Sequence, residues 1–444
     1  MSKSSIEFIC QSCGGAFARW AGRCPQCGSW NSLVETVLES PALLLQKHAK
    51  ALKPDKLADL DASRYPRIET GMEDFNLVLG GGIVPGAVVL LSGDPGIGKS
   101  TLVLQLAANI GQAKKVLYVS GEESGSQIKL RASRLGLGGA NIDFLAENNA
   151  DSIIAAINAE SYNLVIIDSI QTMATQVIAS AAGSVAQISL CAQLFEATAK
   201  KKNIAMIIIG HVTKEGAIAG PKILEHLVDV VLYLEGDRYG NFKALRGIKN
   251  RFGSTDEVGI FEMTEKGLVD VLNPSAAMLA ERRGDPGSVV AASIEGTRPI
   301  LIEVQALVST SVFGYPKRTA AGFDINRLNL LAAVITKRAN LNLSNQDIYV
   351  NIVGGLKVAE PAIDLAIILS IASSFKNLAV KPSTIVFGEV GLSGEIRSVN
   401  NTSKRLAEAK KIGFSSSIGP QNSKASLEVK TLNDAISAAL ISPV

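Results

Sequence analysis

The sequence predicts an α/β core, with a short metal-held module in front of it and an α+β domain behind it. Three observations carry this reading. Short apolar runs alternate with helical patterns between residues 66 and 274, as a parallel sheet covered by helices requires. Four of the five cysteines crowd together near the N-terminus. From about residue 275 the pattern changes to paired strands followed by amphipathic helices.

The 444 residues are 47% hydrophobic, 19% charged and 5% aromatic, which is ample for several buried cores and excludes wholesale disorder. Lys and Arg number 44 against 41 Asp and Glu, a net charge of +3, so nucleic-acid contact must come from local patches rather than a global basic field. No run approaches the roughly 20 apolar residues of a membrane span. The first residues lack a signal-peptide core and are not an Arg-rich transit helix. The expectation is a soluble cytoplasmic protein with no membrane partner.

Residues 1–30 form the predicted metal module. Cys10, Cys13, Cys24 and Cys27 follow C-x2-C-x10-C-x2-C. Two CxxC turns deliver four thiolates to one tetrahedral Zn²⁺, which closes the coordination sphere and makes the site structural. Gly14 and Gly28 follow the second cysteine of each pair, where a tight turn needs an unhindered backbone. A segment this short buries little, so the metal must supply its folding energy, about 10–16 kcal/mol in zinc-finger peptides. Disulfides are the alternative, and a reducing cytosol disfavours them. Arg19, Trp20, Arg23 and Trp30 either touch a nucleic-acid strand or, for Trp20, pack on the zinc loops. Residues 31–65 carry no sustained pattern, are punctuated by Pro41 and Pro54, and read as a linker.

The core, residues 66–274, contains the strongest motif. Ala87–Ser92 is a short apolar run suited to a buried parallel strand. It leads into Gly93-Asp94-Pro95-Gly96-Ile97-Gly98-Lys99-Ser100-Thr101, which fits G-x4-G-K-[ST], and then into a helix with Leu102, Leu106 and Ile110 on one face. Strand, glycine loop and helix stand in the order that phosphate binding needs. Backbone N–H groups of the loop surround phosphate oxygens and the helix N-terminus adds positive potential. Lys99 is assigned to the β/γ-phosphates of ATP, Ser100 to Mg²⁺, and Thr101 to the neighbourhood of the α-phosphate.

Asp168 ends the apolar run Leu164–Ile167, at the crevice end of a strand, and is the second Mg²⁺ residue. Glu122 and Glu123 follow the strand Val116–Ser120, and one of them polarises the attacking water, with Glu123 preferred. The alternative is a pair of acids in a first helical turn. His211, after the strand Ile204–Ile209, is either a packing residue or a γ-phosphate sensor, and residues 213–222 form a Gly-rich loop. Cys191 recurs with Ile188, Phe195 and Thr198 at helical spacing and reads as core. Lys249 and Arg251 sit on a turn after the strand Phe242–Ile248. They are either a surface patch or cations reaching across a subunit interface to phosphate, as an arginine finger does.

The cysteine pattern, GDPGIGKST, VIIDS, GHVTKEG and KNRFG at 249–253, in this order, resemble the bacterial RadA (Sms) family of DNA repair proteins. The resemblance covers essentially the whole chain. It implies a zinc module, a RecA-like P-loop ATPase core and a C-terminal Lon-protease-like domain at 275–444. It further implies a DNA-dependent ATPase that processes single-stranded and branched recombination intermediates together with the RecA recombinase, as a ring hexamer with DNA through its centre. In that family the lysine and arginine of KNRFG serve ATP turnover and DNA-linked motor activity, which places those roles on Lys249 and Arg251.

The C-terminal domain raises the alternative of an ATP-dependent protease, because GEVGLSGEIRSV resembles the Lon proteolytic domain. Where Lon carries its serine nucleophile, Glu360-Pro361-Ala362 places Ala362, which has no hydroxyl; where Lon carries its lysine, this chain has Ser403. Lys404 is one residue on, rotated by about 100° on a helix. The peptidase dyad is absent, so the domain is expected to be a scaffold. Lys317, Arg318, Arg327, Lys337 and Arg338 line either a DNA- or subunit-facing surface or a solvated face. A regulatory ATPase acting on protein is the remaining alternative, disfavoured by the zinc module and KNRFG.

Overall fold

The computed structural model describes residues 5–10, 15–30, 32–38, 56, 66–210, 221–236, 240–312 and 314–441. The chain forms two compact units, residues 1–64 and 65–444.

In the first unit, β1 (Ser5–Cys10) is flanked antiparallel by β2 (Ala16–Phe17) and β3 (Leu33–Leu38). β3 falls in the stretch that reads as linker. Pairing along the whole of β1, from Ser5↔Leu38 to Cys10↔Leu33, makes it a strand.

The second unit opens with α1 (Glu73–Leu79), followed by β4 (Val88–Gly93) and α2 (Lys99–Gly111). Next come β5 (Val116–Ser120), α3 (Gly125–Arg134), β6 (Asp143–Ala146) and α4 (Ala150–Ala159). The alternation continues through β7 (Leu164–Asp168), α5 (Val185–Lys202), β8 (Ala205–Ile209), α6 (Pro221–Leu227) and β9 (Val230–Glu235). β10 (Phe242–Asn250), β11 (Val258–Thr264) and β12 (Gly267–Asp270) complete the nine-stranded sheet. Its order is β12-β11-β10-β9-β4-β8-β7-β5-β6.

The strands from β9 to β6 are parallel, and every residue of β4, β5, β7 and β8 is buried, because helices cover both faces. Alternate side chains feed opposite cores. Val89 and Leu91 join Leu102, Leu106 and Ile110, whereas Val88 and Leu90 join Ile153, Cys191 and Phe195. β10, read from the sequence as one more strand of the parallel sheet, pairs antiparallel, as do β11 and β12. Among the described residues no crossover helix intervenes there, and connections of a few residues cannot return a strand parallel.

The chain then passes through α7 (Pro274–Leu279) into a seven-stranded sheet. β13 (Ser288–Glu295) and β14 (Arg298–Thr310) form the expected hairpin. β15 (Arg318–Ala321), α8 (Ile325–Arg338), β16 (Gln346–Ile352) and α9 (Asp364–Lys376) follow. Then come β17 (Thr384–Val386), the hairpin β18 (Glu389–Val390) and β19 (Ile396–Arg397), and α10 (Thr402–Ile412). β20 (Ser416–Pro420), β21 (Leu427–Val429) and α11 (Leu432–Ala439) end it. One core joins the two sheets: Phe242, Ala244, Val258 and Ile260 pack in the same cluster as Ile300, Ile302, Leu328 and Ile368. Among the described residues no helix is long and apolar enough to cross a membrane.

Candidate nucleotide site and metal centre

The end of β4 forces the phosphate loop. Gly93, Gly96 and Gly98 hold φ of +147°, +78° and +114°, conformations that L side chains rarely adopt. At Gly93 a Cβ would lie 2.3 Å from the Leu234 carbonyl oxygen, so the turn away from the sheet requires glycine. Lys99 begins α2 and is almost fully buried. Its Nζ donates to the carbonyl oxygens of Gly93 (2.7 Å) and Asp94 (3.0 Å). Burial pushes the Lys99 ammonium down to about 8, against the pull of Asp168, Asp94 and Glu122.

Asp168 closes β7 beside it. Burial raises its carboxyl above the ordinary value, opposed by hydrogen bonds from Tyr118 and Ser100. The Tyr118 hydroxyl donates to Asp168 Oδ2 at 2.6 Å. Ser100 and Asp168 therefore meet as two hard oxygen donors of the kind that would hold a Mg²⁺ ion. Nothing in the sequence marked Tyr118, which sits in an apolar strand; the register Tyr118↔Ile166 and Ser120↔Asp168 brings it there.

The two glutamates diverge. Ser120 Oγ accepts from both of their backbone N–H groups. The Glu123 side chain then turns to Arg131 of α3, at 2.5 Å. Glu122 turns inward, accepts from Ser169 Oγ at 2.6 Å, and acts electrostatically on both Lys99 and Asp168. Cys191 lies buried in α5 and burial pushes its thiol up to about 11, in keeping with a packing residue. His211 and residues 213–220 lie outside the described residues.

Lys249 and Arg251 are far from this crevice. Lys249 pairs with Val231, which pairs with Leu90, and the Arg251 amide donates to Asp229, just before β9. Arg251 therefore stands at the level of Val88, five residues from Gly93, or about 16 Å along the strand direction. Lys249 Nζ donates to the Glu225 and Val228 carbonyls, and Arg251 pairs with the buried Asp229 at 3.1 Å. Arg251 itself is half exposed.

In the first unit the Cys10, Cys24 and Cys27 sulfurs lie within 4.8 Å of one another, with Cys10 and Cys27 3.6 Å apart. A tetrahedral zinc with metal–sulfur bonds of about 2.3 Å sets sulfurs about 3.8 Å apart, so the three fit it. Cys13, like Gly14, lies outside the described residues. The Cys24 amide donates to Ser29, and Gly28, at φ +74°, returns its amide to Cys24, as a metal-holding turn needs. Trp20 and Trp30 are 58% and 73% exposed, so neither packs under the cysteines, and the Arg23 guanidinium lies 5.8 Å from the Trp30 ring centre.

In the C-terminal domain Ala362 is fully buried, and Lys404 Nζ donates to the Thr297 carbonyl. Beside Ala362, Glu360 pairs with the fully buried Arg405. Of the five basic residues considered for a surface, Arg327 is committed to the buried carboxylate of Asp364. Lys337 and Arg338 are exposed.

The sheet order, the glycine loop and the buried lysine define a RecA-like P-loop ATPase, fronted by a zinc ribbon and followed by a Lon-like domain. Three family descriptions match: AAA domain over residues 53–217, rubredoxin metal binding domain over 8–35, and subunit ChlI of Mg-chelatase over 306–423. The chain is 50% identical to DNA repair protein RadA of Bacillus subtilis over 427 residues, covering 95% of this chain and 93% of that protein. It is 51% identical to that of Halalkalibacterium halodurans (95% and 93% covered) and 46% identical to that of Listeria monocytogenes (99% and 99%). The chain belongs to the family of the DNA repair protein RadA. Among solved structures, the RadB recombinase overlays with a TM-score of 0.37 at 24% identity, over 46% of this chain and 99% of that one.

Proposed function

We propose that this chain hydrolyses ATP to move on single-stranded and branched DNA during recombinational repair, alongside the RecA recombinase and as a homo-hexameric ring. The observation that carries the ATPase reading is Lys99, buried at the loop with Ser100, Asp168 and Glu122 around it. Lys99 and the loop amides hold the β/γ-phosphates. Ser100 and Asp168 hold Mg²⁺, which neutralises phosphate charge when bound.

Glu122 polarises the attacking water. It faces the lysine and Asp168, while Glu123 is held by Arg131. Glu122→Gln should therefore stop turnover with ATP still bound, whereas Glu123→Gln should retain most of it; the reverse ranking in a steady-state ATPase assay overturns the assignment.

Lys249 and Arg251 act on the nucleotide of a neighbouring subunit. Their place at the opposite end of the strands from their own phosphate loop supports this, since a side chain cannot span that distance. Arg251→Ala should leave binding of a non-hydrolysable ATP analogue intact and slow hydrolysis, by up to ~10³–10⁵ if it behaves as an arginine finger. Unchanged hydrolysis removes the role. The DNA reading is tested by whether single-stranded DNA raises the ATPase rate, and by whether affinity falls steeply with salt as counterions are released.

A further inference from the structure

The β13–β14 hairpin reaches out of the C-terminal domain and ends on the loop that follows Lys249–Gly253. Its turn is Gly296-Thr297, between Glu295 and Arg298. Gly296 holds φ +66°, and a Cβ there would lie 1.6 Å from the Asp256 carbonyl oxygen, so two backbones touch where no side chain fits. The Thr297 hydroxyl donates to Glu257 at 2.9 Å. Arg298 Nη1 donates to both carboxylate oxygens of Asp74 of α1, at 3.2 Å each, and the same carboxylate accepts the Ile260 amide of β11. Glu295, buried, takes Arg246 of β10 at 2.6 Å. Arg246 also pairs with Glu235 of β9.

Arg246 lies three residues before Lys249 on the same strand, and the register of β10 shifts between Gly247 and Lys249. That bulge re-aims the strand end. The hairpin therefore grips the strand just ahead of the bulge, through Glu295, and the loop just beyond the turn, through Gly296 and Thr297. The other side of the turn is held by Arg67, whose guanidinium donates to the Phe252 carbonyl at 2.7 Å.

We propose that Glu295, Gly296 and Thr297 of the C-terminal domain are positioning residues for the end of β10 and the turn after it, Lys249–Gly253, fixing how their cations meet the neighbouring subunit's nucleotide. This rests on the trans role of Lys249 and Arg251 given above. The hairpin touches no nucleotide itself; it acts through Arg246 and the 254–257 loop. A domain without a peptidase dyad thereby gains a part in ATP turnover.

The test is a double-mutant cycle in the full-length protein, read as kcat and KM for ATP with single-stranded DNA and as affinity for a non-hydrolysable ATP analogue. Glu295→Gln, Thr297→Val and Gly296→Ala should each lower kcat, about tenfold or more for Gly296→Ala, with analogue affinity within twofold of the parent. Glu295→Asp should recover part of the loss. In an Arg251→Ala background the same substitutions should cost clearly less, the remainder acting through Lys249, because residues acting through one another are not additive. Equal losses in both backgrounds, or a loss confined to KM, overturn the proposal. Should Gly296→Ala not fold, Glu295→Gln and Thr297→Val decide. If Arg251→Ala leaves hydrolysis unchanged, the trans role itself fails; if it slows hydrolysis and the hairpin variants do not, only the positioning role falls.

Discussion

Lys99 is a cation held where burial opposes its charge, at about 8. Phosphate oxygens favour the charged form, so the complex keeps its proton to higher pH than the free protein. Binding therefore takes up a proton above pH 8, and affinity should fall as pH rises beyond it, by at most about tenfold per pH unit. Binding of a non-hydrolysable ATP analogue, followed from pH 7 to 9.5, should be flat to about pH 8 and then weaken. Lys99→Met should bind poorly and without that slope; a slope persisting in the variant would assign the titration to another group. The glycines of the phosphate loop were legible one by one, because Gly93, Gly96 and Gly98 hold a positive φ that other residues rarely adopt. The choice between Glu122 and Glu123 was not. Neighbours in a turn point apart, and Arg131, on the next helix, decides which one is tied down.

At the scale of elements, the parallel strands announced themselves as apolar runs because both faces are covered. β10 was legible as a strand but not its antiparallel direction, and β3, β11 and β12 were not legible at all, since their partners and connection lengths are tertiary facts. Arg405 was equally hidden: a charge in an amphipathic helix reads as surface, yet it is fully buried against Glu360 and the Ala292 carbonyl. The cysteine module carries its own prediction. Cys10, Cys24 and Leu33 are the buried apolar residues of its core among those described, which is too little to fold without metal. Chelation, or Cys24→Ser, should release this unit and alter the environment of Trp20 and Trp30, while the melting transition of residues 65–444 stays within a few degrees. A matched loss of both transitions would contradict two independent units.

For the molecule as a whole, the order of three parts was readable from motif spacing, and so were Ala362 and Ser403 at the positions where the Lon pattern carries its serine and lysine. The structure adds what surrounds them. Lys404 is spent on the Thr297 carbonyl, and Arg405 with Glu360 occupies the space beside Ala362. Neither the natural protein nor Ala362→Ser should degrade casein, with or without ATP. Release of acid-soluble peptides by the variant would revive the protease reading.

The apolar cluster shared by the two sheets bears on how the chain can be cut. Stopping synthesis near position 274 would strip the cover from Phe242, Ala244, Val258 and Ile260 and leave an oily stripe facing water. Such a shortened product is expected to clump on a sizing column, and its poor repair of damaged chromosomes would then report insolubility rather than a missing activity. Polar replacements along that stripe, made before trimming, are what would let the ATP-cleaving half be studied by itself.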